Sequence, residues 1–123
     1  MKPIIFLMSS LVLISFVILF FLVGLERRNP VCPYIDTKFS PDFSVAKWKR
    51  VNIGLTRNKV VQLLGAPLSY SKLEYLDDSL GFYNAYYTAD GAWPFADFAW
   101  KQFLIVYNKE NIVVQKKANW WYN

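Results

Sequence analysis

The chain has 123 residues, is 54% hydrophobic and carries a net charge of +5, with no histidine and a single cysteine. Without histidine, the commonest general base and the commonest metal ligand are both missing, and a lone cysteine with no histidine beside it is a poor nucleophile. No Gly-rich phosphate loop or HExxH-like string occurs, so the sequence points away from enzymes, from cofactors and from metal chemistry.

Residues 3–25 contain no charge and are dominated by Ile, Leu, Val and Phe. As a helix rising about 1.5 Å per residue they extend roughly 34 Å, enough to cross the hydrocarbon layer. A cleaved signal peptide is the competing reading, since Lys2 supplies a basic start. The apolar run is longer than the usual h-region of about 7–15 residues, and no small-x-small site follows it. An uncleaved signal anchor over residues 1–28 is therefore expected. Cys32 does not make a lipobox, because Asn29, Pro30 and Val31 precede it and Glu26, Arg27 and Arg28 separate it from the apolar run. Counting Lys2 against Arg27, Arg28 and Lys38 leans weakly towards a cytoplasmic C-terminal domain.

Residues 29–39, with Pro30 and Pro33, read as a stiff linker, and the remaining 40–123 as one small domain. A first helix is expected to begin at Ser40 as cap, with Pro41 at its first position and Asp42 near the positive end of the dipole. Phe43, Ala46 and Val51 would form its buried stripe, and Lys47, Lys49 and Arg50 would face out. A second helix carries its own punctuation. Thr56 can cap the first amides, Leu55 and Val60 sit where a hydrophobic staple places them, and Gly65 followed by Pro67 ends the element.

Gly54-Leu55-Thr56 followed by Val60, Leu64, Gly65 and Pro67 resembles the signature of the SmpA/OmlA domain, the fold of the BamE component of outer-membrane β-barrel assembly. The likeness spans residues 43–121. Beyond Pro67 the periodicity changes: residues 80–88 and 101–107 are aromatic and β-branched, and 112–118 should pair antiparallel with 101–107 across the polar connection 108–111. The expected fold is therefore α+β in the order ααβββ, two helices packed on one face of a three-stranded antiparallel sheet, behind an N-terminal transmembrane helix. The resemblance implies a non-enzymatic domain that stabilises a larger membrane complex by protein contact and can also meet phospholipid. It also implies a periplasmic domain, which the transmembrane anchor would hold at the bacterial inner membrane, and this is preferred over the charge count because the amino-terminal tail has little charge to weigh. A membrane anchor in place of a lipid-modified cysteine departs from the family pattern and bears on membership of the barrel-assembly complex itself.

Two groups of residues are candidates for binding. Lys47, Lys49, Arg50, Arg57 and Lys59 form the densest basic cluster, readable as a solvated helix face or as a contact for anionic headgroups; no nucleic-acid motif accompanies it. Nineteen aromatic residues fall after position 28, a surplus for so small a domain. Trp93, Phe95 and Phe98 lie in the loop-like stretch 89–98, and Trp120, Trp121 and Tyr122 close the chain. The first group reads either as a loop folded over the core or as an anchor for an envelope protein partner, and the second as strand continuation, partner contact or bilayer-interface contact. Asp77 and Asp78 read as a solvated turn. The alternative to a scaffold role is an inhibitor-like or phospholipid-sensing module.

Overall fold

Four antiparallel strands with two short helices against one face organise everything after the apolar helix. The computed structural model describes residues 2–24, 28–73, 82–94 and 97–122. α1 (Lys2–Gly24) is long and apolar enough to cross a membrane, and its window Pro3–Phe20 is exposed, with none of it buried against the rest of the chain. There follow β1 (Thr37–Phe39), α2 (Val45–Lys49), α3 (Arg57–Leu64), β2 (Ser69–Lys72), β3 (Tyr83–Tyr86), β4 (Thr88–Asp90), β5 (Trp100–Tyr107) and β6 (Val113–Trp121). The main sheet runs β2-β3-β5-β6, and β1 pairs with β4 in a separate two-stranded ladder. All pairings are antiparallel.

The fold is thus α+β, but the three strands expected from the sequence become six among the described residues. Each extra strand has a local reason. β2 is Ser-Tyr-Ser-Lys, exposed at all four positions on the sheet edge, so it carries none of the apolar alternation that marks a strand. β1 is only three residues long and falls inside the stretch read as linker. The run expected over 80–88 divides at Tyr87, whose N–H donates to Phe103 O (2.9 Å) while its own carbonyl accepts from Ser40 N (2.9 Å). After that residue the chain leaves the main sheet and pairs with β1 as β4. The first two residues of that expected run, and Asp77 and Asp78, lie outside the described residues.

The first helix begins later than its capping signals suggest. Ser40 is buried, its N–H donates to Tyr87 O, its carbonyl accepts from Phe43 N (3.1 Å), and its Oγ meets no backbone amide, so it does not cap the helix. Ser44 takes that role, its Oγ accepting from Lys47 N at 3.2 Å. The helix shrinks to five residues, and Ala46, expected inside, is exposed. α3 has the expected extent, with Thr56 and Gly65 flanking it, yet the Thr56 hydroxyl makes no capping hydrogen bond. A backbone carbonyl from the β5–β6 turn does the work: Arg57 N donates to Asn111 O at 2.8 Å.

Val51, Val60 and Leu64 from the helical layer close on Ala85, Tyr87, Phe103, Ile105, Tyr107 and Val113, and these nine form the core. Each fully buried aliphatic side chain contributes about 1.5–3 kcal/mol. Residues 103–107 are all buried, which is why β5 reads as an unbroken apolar run. β6 alternates instead, with Gln115, Lys117, Asn119 and Trp121 exposed on the face away from the helices.

Gly65 ends α3 with φ +77°, and its N–H donates to Val61 O at 2.8 Å. A Cβ there would lie 2.6 Å from Asp42 Cβ, whereas a Cβ on Gly54 (φ +92°) would meet nothing within 4 Å. Gly65→Ala should therefore cost about 1–3 kcal/mol, backbone strain plus overpacking, and Gly54→Ala about 1 kcal/mol from strain alone. Urea unfolding of the detergent-solubilised chain, followed by tryptophan emission, separates the two. Equal losses would show that the approach of Asp42 to this helix end is not close.

Candidate functional site

Between the first turn of α3, the edge strand β2 and the β5–β6 turn lies an open groove of about 780 Å³. A second hollow of about 360 Å³ adjoins it, and the two share Arg57 and Tyr70. Arg57, at the first helical position, turns its guanidinium towards the sheet. Nη2 donates to Tyr70 Oη at 3.1 Å, and the group lies 4.8 Å from the Tyr70 ring centre and 5.8 Å from that of Tyr83. Tyr83 Oη donates to Asn111 Oδ1 at 2.7 Å, which fixes the turn residue that holds the helix start. Behind it Tyr83 stacks on Tyr107 at 5.1 Å, so the groove wall continues into the core.

The groove sets the charged Arg57 guanidinium beside phenols. The hydrogen bond to Tyr70 is the main influence raising the Arg57 pKa, so the guanidinium is permanently charged. Burial raises Tyr83 against the opposing pull of Arg57, and burial likewise pushes Tyr87 up to about 12 and Tyr107 upward. These phenols keep their protons at neutral pH and cannot serve as bases there. Among the described residues no group of three or more His, Cys, Asp or Glu side chains could hold a metal ion.

The basic residues singled out in the sequence do not act as one set. Arg57 is committed to the tyrosine groove, and Lys47 Nζ folds back onto Asp42 O at 3.0 Å. Lys49, Arg50 and Lys59 are exposed. A cation that the sequence reading passed over, Lys116, lies 4.5 Å from the Trp48 ring centre and reaches the carbonyls of Trp48 and Lys49 at 3.4 and 3.3 Å, at the negative end of α2.

The aromatic candidates also divide. Phe98 is 6% exposed and belongs to the interior, which corrects its assignment to a partner surface. Trp93 is 41% exposed; Phe95 lies outside the described residues. The terminal trio splits because strand alternation sends neighbours to opposite faces. Trp120 stacks on Tyr34 at 5.9 Å with Lys101 and Arg28 at 5.0 and 5.4 Å from its centre. Trp121 stacks on Trp100 at 6.4 Å on the other face and stays 50% exposed, while Tyr122 is 59% exposed. Tyr70, Tyr83 and Asn111 were missed because their convergence on Arg57 depends on cross-strand register, for which spacing along the chain has no signal.

Two aspartates tie down the loop bearing Trp93, and Asp90 Oδ1 accepts from Ala92 N at 2.9 Å. Asp36, 1% exposed, accepts from Trp93 N at 2.8 Å through Oδ1 and from Gly91 N at 2.9 Å through its carbonyl. No protein-family model matches the chain, and no curated protein matches it.

Burial, the largest influence, raises the Asp36 pKa above 3.8; the Trp93 N–H opposes it, and Asp90 and Asp97 add to the rise. The folded state then holds its proton more tightly than the unfolded chain, so stability is greatest below about 4 as far as this group is concerned and declines as pH climbs through the raised value. Asp36→Asn keeps an acceptor for Trp93 N and removes the charge. It should flatten the pH dependence of the thermal midpoint above pH 4 and raise the midpoint at neutrality; an unchanged profile would remove Asp36 as its source.

Burial also separates Phe98 from Trp93. Phe98→Ala should unfold or severely weaken the domain, at about 3–5 kcal/mol, and Trp93→Ala should leave its circular dichroism intact. Two folded variants of equal stability would contradict the interior position of Phe98.

Proposed function

We propose that this chain is a single-pass, membrane-anchored, non-enzymatic binding module of the BamE type. Its domain lies in the periplasm at the bacterial inner membrane and contacts an envelope protein. The observation that carries the reading is how the residues of the motif are used. Gly54 N donates to Val113 O (2.8 Å), while the bonds from Val113 N to Leu55 O (2.9 Å) and from Arg57 N to Asn111 O (2.8 Å) together bridge Thr56 to Ile112, so Gly-Leu-Thr fastens a helix to a sheet and is more than helix grammar. The apolar helix α1 supports the anchor. Trp93, Trp121 and Tyr122, large rings left 41–59% exposed, supply the partner surface.

A second reading, a sensor of anionic phospholipid, is favoured by the exposure of Lys49, Arg50 and Lys59. Basic residues near an anionic surface gain about 1 kcal/mol each. Reversal of those three charges should leave co-purification of a membrane protein intact under the first reading and abolish vesicle association of the domain under the second.

The first reading is tested by affinity purification of the full chain from detergent extracts. A stoichiometric membrane protein should accompany it, and Trp93→Ala should weaken that association by about thirtyfold, the equivalent of roughly 2 kcal/mol. Intact mass from purified membranes should retain residues 3–25. A mature chain beginning after Leu25, or at a lipid-modified Cys32, sinks the anchor, and a chain that purifies alone sinks the scaffold role.

A further inference from the structure

The two edges of the main sheet are guarded very differently. β2 is four residues long, whereas β6 has nine residues, no proline, and a ladder irregularity only opposite Val106 and Tyr107. Long edge strands present rows of unpaired backbone groups and invite pairing.

Which groups of β6 face outward follows from β5. Phe103 and Tyr107 offer their carbonyls to Tyr87 N and Phe82 N, and Lys101 N donates to Thr37 Oγ1, so the odd residues of β5 point away from β6. The even residues therefore face β6, pairing Gln102 with Asn119, Leu104 with Lys117 and Val106 with Gln115. The backbone groups of Lys116, Ala118 and Trp120 then point outward, and among the described residues none of them has a hydrogen-bond partner. Among the described residues, Val113 alone on this edge is occupied, by Gly54 and Leu55. Lys116 does not guard the edge with its charge, because its ammonium is drawn back over Trp48.

We propose that the β6 edge is a homodimer seam: two copies of this chain pair antiparallel through β6, centred on Ala118, to form one continuous sheet. Two arguments select a second copy in this register. The outward-facing residues 116, 118 and 120 are symmetric about Ala118, so every unpaired N–H and C=O in the set meets one from the other copy. The side chains are self-complementary as well: Lys116 comes opposite Trp120, Lys117 opposite Asn119 and Gln115 opposite Trp121, with no like charges facing. Centring on Lys117 would set that lysine against itself. Anchoring both copies in one bilayer raises their effective concentration. This inference does not depend on the BamE-type reading.

The test uses the full chain in its membrane, with Cys32→Ser to remove the native thiol. Residues facing each other in a hydrogen-bonded antiparallel pair have Cα atoms about 5.5 Å apart, within disulfide reach. Under mild oxidation Ala118→Cys should convert most of the protein to a band at twice 14.4 kDa. Gln115→Cys alone should stay monomeric, because its facing residue is Trp121. Gln115→Cys combined with Trp121→Cys should cross-link again. Ala118→Pro removes an outward N–H that has no partner within the chain, so it should shift the detergent-corrected mass from dimer to monomer with unchanged circular dichroism. A monomeric Ala118→Cys, cross-linking of Lys117→Cys in preference to it, or a cross-link to a chain of different mass overturns the proposal. If Ala118→Pro unfolds, the cysteine variants still decide.

Discussion

The clasp between Gly54–Arg57 and Asn111–Val113 is the interaction on which the rest of the domain depends. Three backbone hydrogen bonds of 2.8–2.9 Å tie the chain around the start of α3 to the turn and first residue of β6. An eight-residue helix is marginal by itself in water, since nucleation is costly and few hydrogen bonds repay it. Fixing its first turn from outside removes much of that cost and sets which side of the helix meets the sheet. Val60 and Leu64, one turn apart, then fall on the buried side, and Arg57 falls beside Tyr70 and Tyr83. The core and the groove are two results of one attachment.

A second junction ties the small ladder to the main sheet. Thr88 Oγ1 donates to Lys101 O and accepts from Phe103 N, both at 2.7 Å, while Thr37 Oγ1 accepts from Lys101 N at 2.9 Å. Where β3 has ended, buried hydroxyls complete the ladder that a strand would otherwise supply, so β5 loses no hydrogen bond at the corner. Without Thr88 the Phe103 N–H would be left buried and unsatisfied, at a cost of about 1–3 kcal/mol.

How far the fold could be read from the sequence follows from what each signal measures. α3, β5 and β6 were legible because their patterns arise from burial and from end chemistry within a few residues. β1 and β2 are not, being short or wholly exposed, and the break at Tyr87 depends on its carbonyl accepting from Ser40 N, a residue far back along the chain. Ser40 does not cap because a Ser-Pro-Asp signature describes a local preference, and the backbone tie to Tyr87 overrides it. The candidate site suffered most. The charge of Arg57 is visible in the sequence, yet its partners lie on β2 and β3, and only the register of that sheet brings them together.

The aromatic surplus has a structural explanation that narrows the surface left for function. Helices of five and eight residues offer few aliphatic positions, so rings fill the space. Tyr34, Phe39, Phe43, Phe103 and Trp48 form a continuous run of ring contacts at 5.0–5.7 Å, with Tyr87 stacked beside Phe43. Such pairs contribute about 0.5–1.5 kcal/mol each beyond burial of their area. Lys116 covers one end of the run at Trp48, while Arg28 and Lys101 cover Trp120, the ring stacked on Tyr34 at the other. Cations laid on ring faces bury their stems and keep their charge near water, which makes the basic residues lids on an aromatic core. A count of aromatic or basic residues therefore overstates the binding surface, because Arg28, Lys101 and Lys116 and the rings they cover are spent on holding the domain together.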